Sequence, residues 1–402
     1  FLEGIQAQGG TNIHDALLEA LRPEPAPGKL PLVLFLTDGL PTVGETSEVA
    51  IRKLVQEHNP HERRVFTCGV GVDVNTPLLE SVALRSRATS TFILPKEDVE
   101  LKVARIFERL KGPVLVNAVL GSPWPRSPIH SLMPVEIPDL FEGDQLVLLG
   151  RYRGKRPVPL TLRGNFRGHN RVFEFAFDPR KASTKNAFVP RLWASRRIAM
   201  LVDAIREAGA APGQNAAAVA KDPKLKELVH EIVRLSTEHG ILTEYTAFLA
   251  LEGTDLTQRE ELVQHAGRQL DERAVSCRRG WGSVNQSLNS NQMRGQKRLN
   301  RRNVYWTSSM ERAEPSAVQQ VNDRAFFRRG GTWIDSRITH LKKDERTTRE
   351  IRFGSPEWAA LARKLASQNR QGSISLRGDI LLQVDGEIVL VKGPDAPARG
   401  AK

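Results

Sequence analysis

Two short stretches near the start of the chain carry oxygen donors that a fold could bring together. Gly9-Gly10-Thr11-Asn12 sets a hydroxyl in a loop just before a helix-like segment, and Thr37-Asp38-Gly39 sets a carboxylate at the end of the apolar run "LVLFL". If that run is a buried parallel strand, the Thr11 hydroxyl and the Asp38 carboxylate meet at the carboxyl edge of the sheet. Open α/β sheets bind their ligands at that edge. A hydroxyl and a carboxylate, with water in the other positions, is hard-oxygen ligation suited to Mg2+, Ca2+ or Mn2+. Asn12, His14 and Asp15 read instead as helix-start residues, with Asp15 at the positive end of the helix dipole.

Other candidates carry less chemistry. His58 and His61 flank Pro60 in a polar stretch and read as a solvated loop, and His230 and His239 read as packing or solvent-facing residues. "GVGVD" (69–73) lacks the third glycine and the helix-opening turn of a dinucleotide fingerprint. No Gly-x-x-x-x-Gly-Lys occurs and no nucleophile–base–acid arrangement stands out, so an enzyme is the least supported class and none is expected. The two cysteines, Cys68 and Cys277, make no disulfide framework, and Cys68 in "VFTCGVGV" reads as a small buried hydrophobe. The net charge of +13 is uneven: residues 1–258 carry 32 − 30 = +2 and residues 259–402 carry 27 − 16 = +11. Within "RGQKRLNRRNVYW", Arg294, Lys297, Arg298, Arg301 and Arg302 could neutralise phosphates while Tyr305 and Trp306 stack on bases. A solvated charged linker is the plainer reading. No apolar run approaches the roughly 18 residues of a membrane span.

The elements that must position Thr11 and Asp38 follow from periodicity. Residues 1–112 alternate strand-like runs ("LVLFL", "RRVFTCGVGV", "STFILP") with amphipathic helices ("IHDALLEAL", "TSEVAIRKLVQEHN", "LLESVALRS", "EDVELKVARIFERL"), which predicts a doubly wound parallel sheet. Residues 113–182 read as short strands punctuated by Gly and Pro, a small β-sandwich. Residues 183–256 read as two helices, the second opened by Asp222-Pro223 and stopped by Gly240. "ILTEYTAFLALE" then alternates like a closing strand. Residues 257–325 are polar and aperiodic and are expected to be a basic linker or partly disordered. Residues 326–402 are expected to form a small α+β unit, with hairpins in "AFFRRGGTWIDSRI" and around Asp385-Gly386 and a capped helix in "SPEWAALARKLAS".

"GGTNIHDAL" followed by "LTDG" resembles the von Willebrand factor type A domain. "FTCGVGVDVNTPLLESVA", "STFILPKEDVELKVARIFERLKGPVL" and "LVHEIVRLSTEHGILTEYTAFLALE" resemble the region after that domain in inter-alpha-trypsin inhibitor heavy-chain-like proteins, bacterial members above all. The resemblance spans most of the 402 residues. It implies that Thr11 matches the loop threonine and Asp38 the later aspartate of a metal-ion-dependent adhesion site, with a metal position open to an acidic side chain of a partner protein. It also implies a secreted or cell-envelope interaction protein without enzymatic activity, and a further N-terminal β domain. The family's Asp-x-Ser-x-Ser element does not occur in this chain. It is expected upstream of Phe1, so that the first domain is partial, the metal site incomplete and the strand "LVLFL" an exposed edge. Two other readings stand beside it: a type A adaptor regulating an ATPase machine, and binding of nucleic acid or another anionic polymer by the basic C-terminal third.

Overall fold

Asn12 caps the first helix, α1 (Ile13–Leu21), whose Ile13, Leu17 and Leu21 are buried at i, i+4 and i+8. That stripe packs with Ile51, Leu54 and Val55 of α2 (Glu48–Glu57), Leu78 and Val82 of α3 (Thr76–Arg85), and Val65. Between the helices run β1 (Leu32–Thr37), β2 (Arg64–Val70) and β3 (Ser90–Ile93), a parallel sheet in the order β1-β2-β3; α4 (Val99–Leu110) follows. The structure, a computed structural model, describes residues 9–110, 112–124, 127–210, 217–342, 345 and 348–394.

β2 is buried along nearly its whole length, as a parallel strand covered on both faces must be. Cys68 sits within it, fully buried, and burial pushes its thiol pKa up. β1 is different. Among the described residues it pairs only with β2, and Leu34 and Leu36 are exposed at 36% and 45%. Among the described residues "LVLFL" is thus an edge strand with one covered face, where its unbroken apolar run alone predicts burial on both.

The next strands are β4 (Pro113–Gly121), β5 (Ile129–Met133), β6 (Leu140–Phe141), β7 (Leu149–Tyr152), β8 (Val158–Phe166) and β9 (His169–Phe177). They form a four-stranded antiparallel sheet, β6-β4-β8-β9, and a β5-β7 pair, with Leu115, Ala118, Ile137 and Leu162 at the core. The fold is thus α/β with a parallel sheet and a further β domain. All the strands so far lie in the first of two units, whose described residues fall within Phe1–Ala182, Asp203–Ala216 and Glu272–Leu288.

The second unit takes Ser183–Val202, Ala217–Asp271 and Asn289–Lys402. Its helical part comprises α5 (Val189–Ala208, whose last residues count with the first unit), α6 (Ala218–Lys221), α7 (Pro223–His239) and α8 (Arg259–Leu270). As predicted, Asp222 caps α7 and Gly240 ends it at φ +59°. A Cβ at Gly240 would sit 2.3 Å from that of Ala325, so packing as well as backbone requires glycine there.

Two expectations fail. "ILTEYTAFLALE" is not a strand: the Thr246 hydroxyl accepts the Thr243 N–H at 3.0 Å, and the Thr243 hydroxyl accepts that of Tyr245 at 3.2 Å. These side-chain bonds stand in for ladder partners and lead into a 3-10 turn at Ala247–Ala250. The expected basic linker, 257–325, carries α8 and then α9 (Trp281–Arg294). Several polar residues of α9 are interior: Ser283, Asn285, Gln286 and Ser287 are all at or below 1% exposure.

β10 (Tyr305–Trp306) and β11 (Arg312–Ala313) make a short pair. The strands β12 (Val318–Val321), β13 (Arg324–Arg329), β14 (Thr332–Asp335), β15 (Thr348–Arg352), β16 (Asp379–Val384) and β17 (Glu387–Lys392) form one sheet in the order β12-β13-β14-β16-β17-β15. α10 (Pro356–Ser367), capped by Ser355, packs its Leu361 and Leu365 into the core with Phe326, Ile380 and Val389. Both predicted hairpins are present, turning through Gly330-Gly331 and Asp385-Gly386, four residues with positive φ.

Candidate functional site

The loop before α1 and the loop after β1 are tied together through their backbones. The Thr11 N–H donates to Thr42 Oγ1 at 2.8 Å, and the Thr11 carbonyl accepts from the N–H groups of Thr42 at 2.8 Å and Val43 at 3.2 Å. Gly10 has no room for a side chain, since a Cβ would meet Val43 Cγ2 at 2.4 Å and Thr42 Oγ1 at 2.7 Å. The second glycine of "GGTN" is thus explained by loop-on-loop contact. Thr42 was not legible as part of this device; its only signal is a hydroxyl three residues after Gly39 in "DGLPT".

Asn12 makes a reciprocal cap with Asp15: Oδ1 accepts the Asp15 N–H at 3.1 Å and Nδ2 donates to Asp15 Oδ2 at 2.7 Å. His14 lies 2.8 Å from the other Asp15 oxygen, and the hydrogen bonds from His14 and Asn12 hold the Asp15 carboxyl below the usual range. These three residues are consumed by the helix start.

Thr11 and Asp38 are not consumed. The Thr11 hydroxyl lies 3.2 Å from the point where a Cβ on Gly39 would stand, so it is beside the residue that follows Asp38. Asp38 is exposed, and among the described residues neither its carboxylate nor the Thr11 hydroxyl has a hydrogen-bond or ion-pair partner. The turn that presents Asp38 is held by Thr37, whose Oγ1 accepts the Gly39 N–H at 3.3 Å. Both free groups are hard oxygen donors, the right chemistry for a divalent cation. In number they fall short, because no group of three or more His, Cys, Asp or Glu able to hold a metal is present among the described residues.

The basic residues are dispersed by comparison. Arg294, in the last turn of α9, bonds Asn291 Oδ1 at 2.7 Å, and Arg302 lies 3.5 Å from Glu314. Lys297, Arg298 and Arg301 are exposed in the segment after α9. Tyr305 and Trp306 are half-buried in β10. Asn289 pins Trp306 by two 2.8 Å bonds, from its Nδ2 to the Trp306 carbonyl and from the Trp306 N–H to its Oδ1. Among the described residues no helix is long and apolar enough to cross a membrane.

No family model matches the chain. It is 30% identical over 226 residues to inter-alpha-trypsin inhibitor heavy chain H4 of Bos taurus, covering 50% of this chain and 24% of that protein. Heavy chain H4 of Homo sapiens is 28% identical over 282 residues, covering 65% and 28% of the two chains. Heavy chain H6 of Homo sapiens is 25% identical over 319 residues, covering 70% and 22%. Over these spans the chain is similar to inter-alpha-trypsin inhibitor heavy chains. It spans about a quarter of the length of these relatives. Solved structures similar to it include a von Willebrand factor type A protein from Catenulispora acidiphila, at TM-score 0.40 and 16% identity over 58% of this chain and 62% of that one. The ArnB paralog VWA2 from Sulfolobus acidocaldarius matches at TM-score 0.36 and 16% identity, over 70% of this chain and 72% of that one.

Proposed function

We propose that the heavy-chain-like chain is a non-enzymatic protein-interaction module whose loop edge at Thr11 and Asp38 contributes to a divalent-metal-dependent grip on an acidic side chain of a partner. The observation that supports this reading is the contrast within one loop pair. Its backbone groups are engaged and its glycine is sterically required, while the hydroxyl and carboxylate it presents have no partner among the described residues. Such a hydroxyl and carboxylate would hold Mg2+, Ca2+ or Mn2+ together with water and donors outside the described residues. The ion would supply a positive centre attractive to a carboxylate. Thr42 and Thr37 would act by fixing the two loops. A secreted or cell-envelope location goes with this reading and is checked by fractionation of the producing cells.

Calorimetric titration of the full-length protein with Mn2+ tests the proposal. Asp38→Ala is expected to weaken binding at least about tenfold, or ~1.4 kcal/mol, with the melting temperature in metal-free buffer unchanged. Equal affinity in wild type and variant would overturn it.

A further inference from the structure

Strand β9 closes one edge of the four-stranded sheet, and among the described residues its outer side has no partner. Proteins blunt such edges by shortening them, by bulges, by proline or by lysine. The opposite edge is blunted, since β6 is two residues long. β9 runs nine residues, His169–Phe177, has neither proline nor lysine, and pairs with β8 without a register shift. Every one of its residues is exposed, including Val172 at 55%, Phe173 at 37%, Phe175 at 53% and Phe177 at 38%.

The turn into β9 determines which backbone groups are open. Arg167 and Gly168 form a two-residue turn, both at positive φ, so the closing pair Phe166–His169 exchanges both of its hydrogen bonds. Bonded and non-bonded pairs alternate from there. The odd-numbered residues of β9 thus bond inward to β8, while Asn170, Val172, Glu174 and Ala176 aim N–H and C=O groups outward. Side chains divide by the same parity. Phe173, Phe175 and Phe177 line one face, extended by Tyr152 of β7, whose ring centroid is 5.2 Å from that of Phe177. Arg171 continues that row toward the turn; its guanidinium and that of Arg167 lie 5.8 and 5.9 Å from the Phe166 ring centroid. Neither cation has a carboxylate partner among the described residues. The acid of β9, Glu174, is on the other face. Residues 149–181 hold nine Lys and Arg against two acids, a net +7.

An open ladder beside an apolar row and unpaired cations has the parts of a strand-addition site. Backbone bonds hold the incoming segment, and its alternate side chains decide which segment is taken. A second copy of this chain fits poorly, because pairing β9 with itself sets like charges against each other. We propose that β9 takes up an extended acidic segment of a partner protein as a further antiparallel strand. Apolar side chains of that segment lie beside the three phenylalanines, and its carboxylates beside Arg171 and Arg167. The contact needs no metal and is independent of the proposal for Thr11 and Asp38.

The test is titration of the full-length protein, in EDTA, with the labelled nonapeptide Val-Thr-Val-Thr-Val-Thr-Glu-Thr-Glu. Antiparallel to β9, its valines face the phenylalanines, its glutamates face the basic end, and its threonine nitrogens meet the open carbonyls. Binding is expected, with hydrogen exchange slowed at the Val172 and Glu174 amides. Lysine in place of glutamate should weaken it at least about tenfold, and methylating the threonine nitrogens should abolish it. Val172→Pro removes an outward N–H, spares the bonds to β8, and should abolish uptake with the far-UV spectrum unchanged. Equal affinity for the acidic and lysine peptides would overturn the proposal, as would no binding. So would Val172 and Glu174 amides already protected in the free protein, or a dimer that Val172→Pro dissociates. The three peptides decide the matter on the wild type even if the variant fails to fold.

Discussion

The loop edge of the first sheet and the start of α9 use polar residues in opposite ways. At the edge the backbone is tied down and the side chains of Thr11 and Asp38 are left over. Along α9 the side chains do the tying. Ser287 Oγ donates to Glu80 Oε2 at 2.8 Å and accepts from Arg206 at 2.9 Å; Thr76 Oγ1 donates to the Ser283 carbonyl at 3.1 Å; Gln286 Nε2 donates to the Gly282 carbonyl at 2.6 Å. Buried polar groups cost free energy unless they are bonded, and several here bond one another beside the Arg206–Glu80 pair. The difference separates polar groups spent on the fold from those left to meet something outside it.

The largest effect should come from breaking the interior network. Glu80→Ala takes from the buried Arg206 its nearer carboxylate and leaves Asp203 at 3.9 Å; it is expected to cost up to about 3–5 kcal/mol in denaturant unfolding, and a loss below about 1 kcal/mol would mean the network is not what holds α9. A middle-sized effect belongs to Asp323 in the second unit. Burial alone would raise its pKa, but hydrogen bonds from Arg370 and Arg337, and their charges, hold it below the reference value of 3.8. Asp323→Asn should cost about 1.5–3 kcal/mol at neutral pH, the worth of hydrogen bonds to charged groups. The sign of its pH dependence follows from the lowered folded-state pKa. The contribution is complete above 3.8 and shrinks as the pH falls below it, where the unfolded chain takes up its proton first. Wild type and variant should therefore converge in acid, and a gap that widens there would contradict the assignment.

The same contrast explains what the sequence made legible. Helix starts and stops were readable because caps are local: Asn12, Asp222, Ser355 and Gly240 each act within a few residues of themselves. Hairpins turning on Gly330-Gly331 and Asp385-Gly386 were readable for the same reason. The interior position of α9 was not, because its Ser, Asn and Gln residues look like those of a solvated linker. Only partners distant in sequence, such as Glu80 and Arg206, reveal that they are buried. Thr11 and Asp38 stood out by type and position, and the structure places them on neighbouring loops. Thr42, which ties those loops, lies 31 residues from the N–H it accepts, and no local pattern marks it.

The smallest stability effect should be found where the functional proposal is strongest. Thr11→Val keeps the shape of the side chain and its backbone bonds to Thr42 and Val43, and removes only a hydroxyl without a partner among the described residues. Its stability in metal-free buffer should stay within about 0.5 kcal/mol of wild type, as for surface changes away from special features. Thr42→Val removes the acceptor of the Thr11 N–H and should cost more, about 0.5–1.5 kcal/mol, the net worth of one hydrogen bond. Chemical denaturation of the two single variants checks the order. If Thr11→Val proves the costlier, its hydroxyl belongs to the scaffold after all, and the line between spent and unspent polar groups falls elsewhere. If the order holds, stability is carried by Thr42 and the Thr11 hydroxyl is free for a ligand.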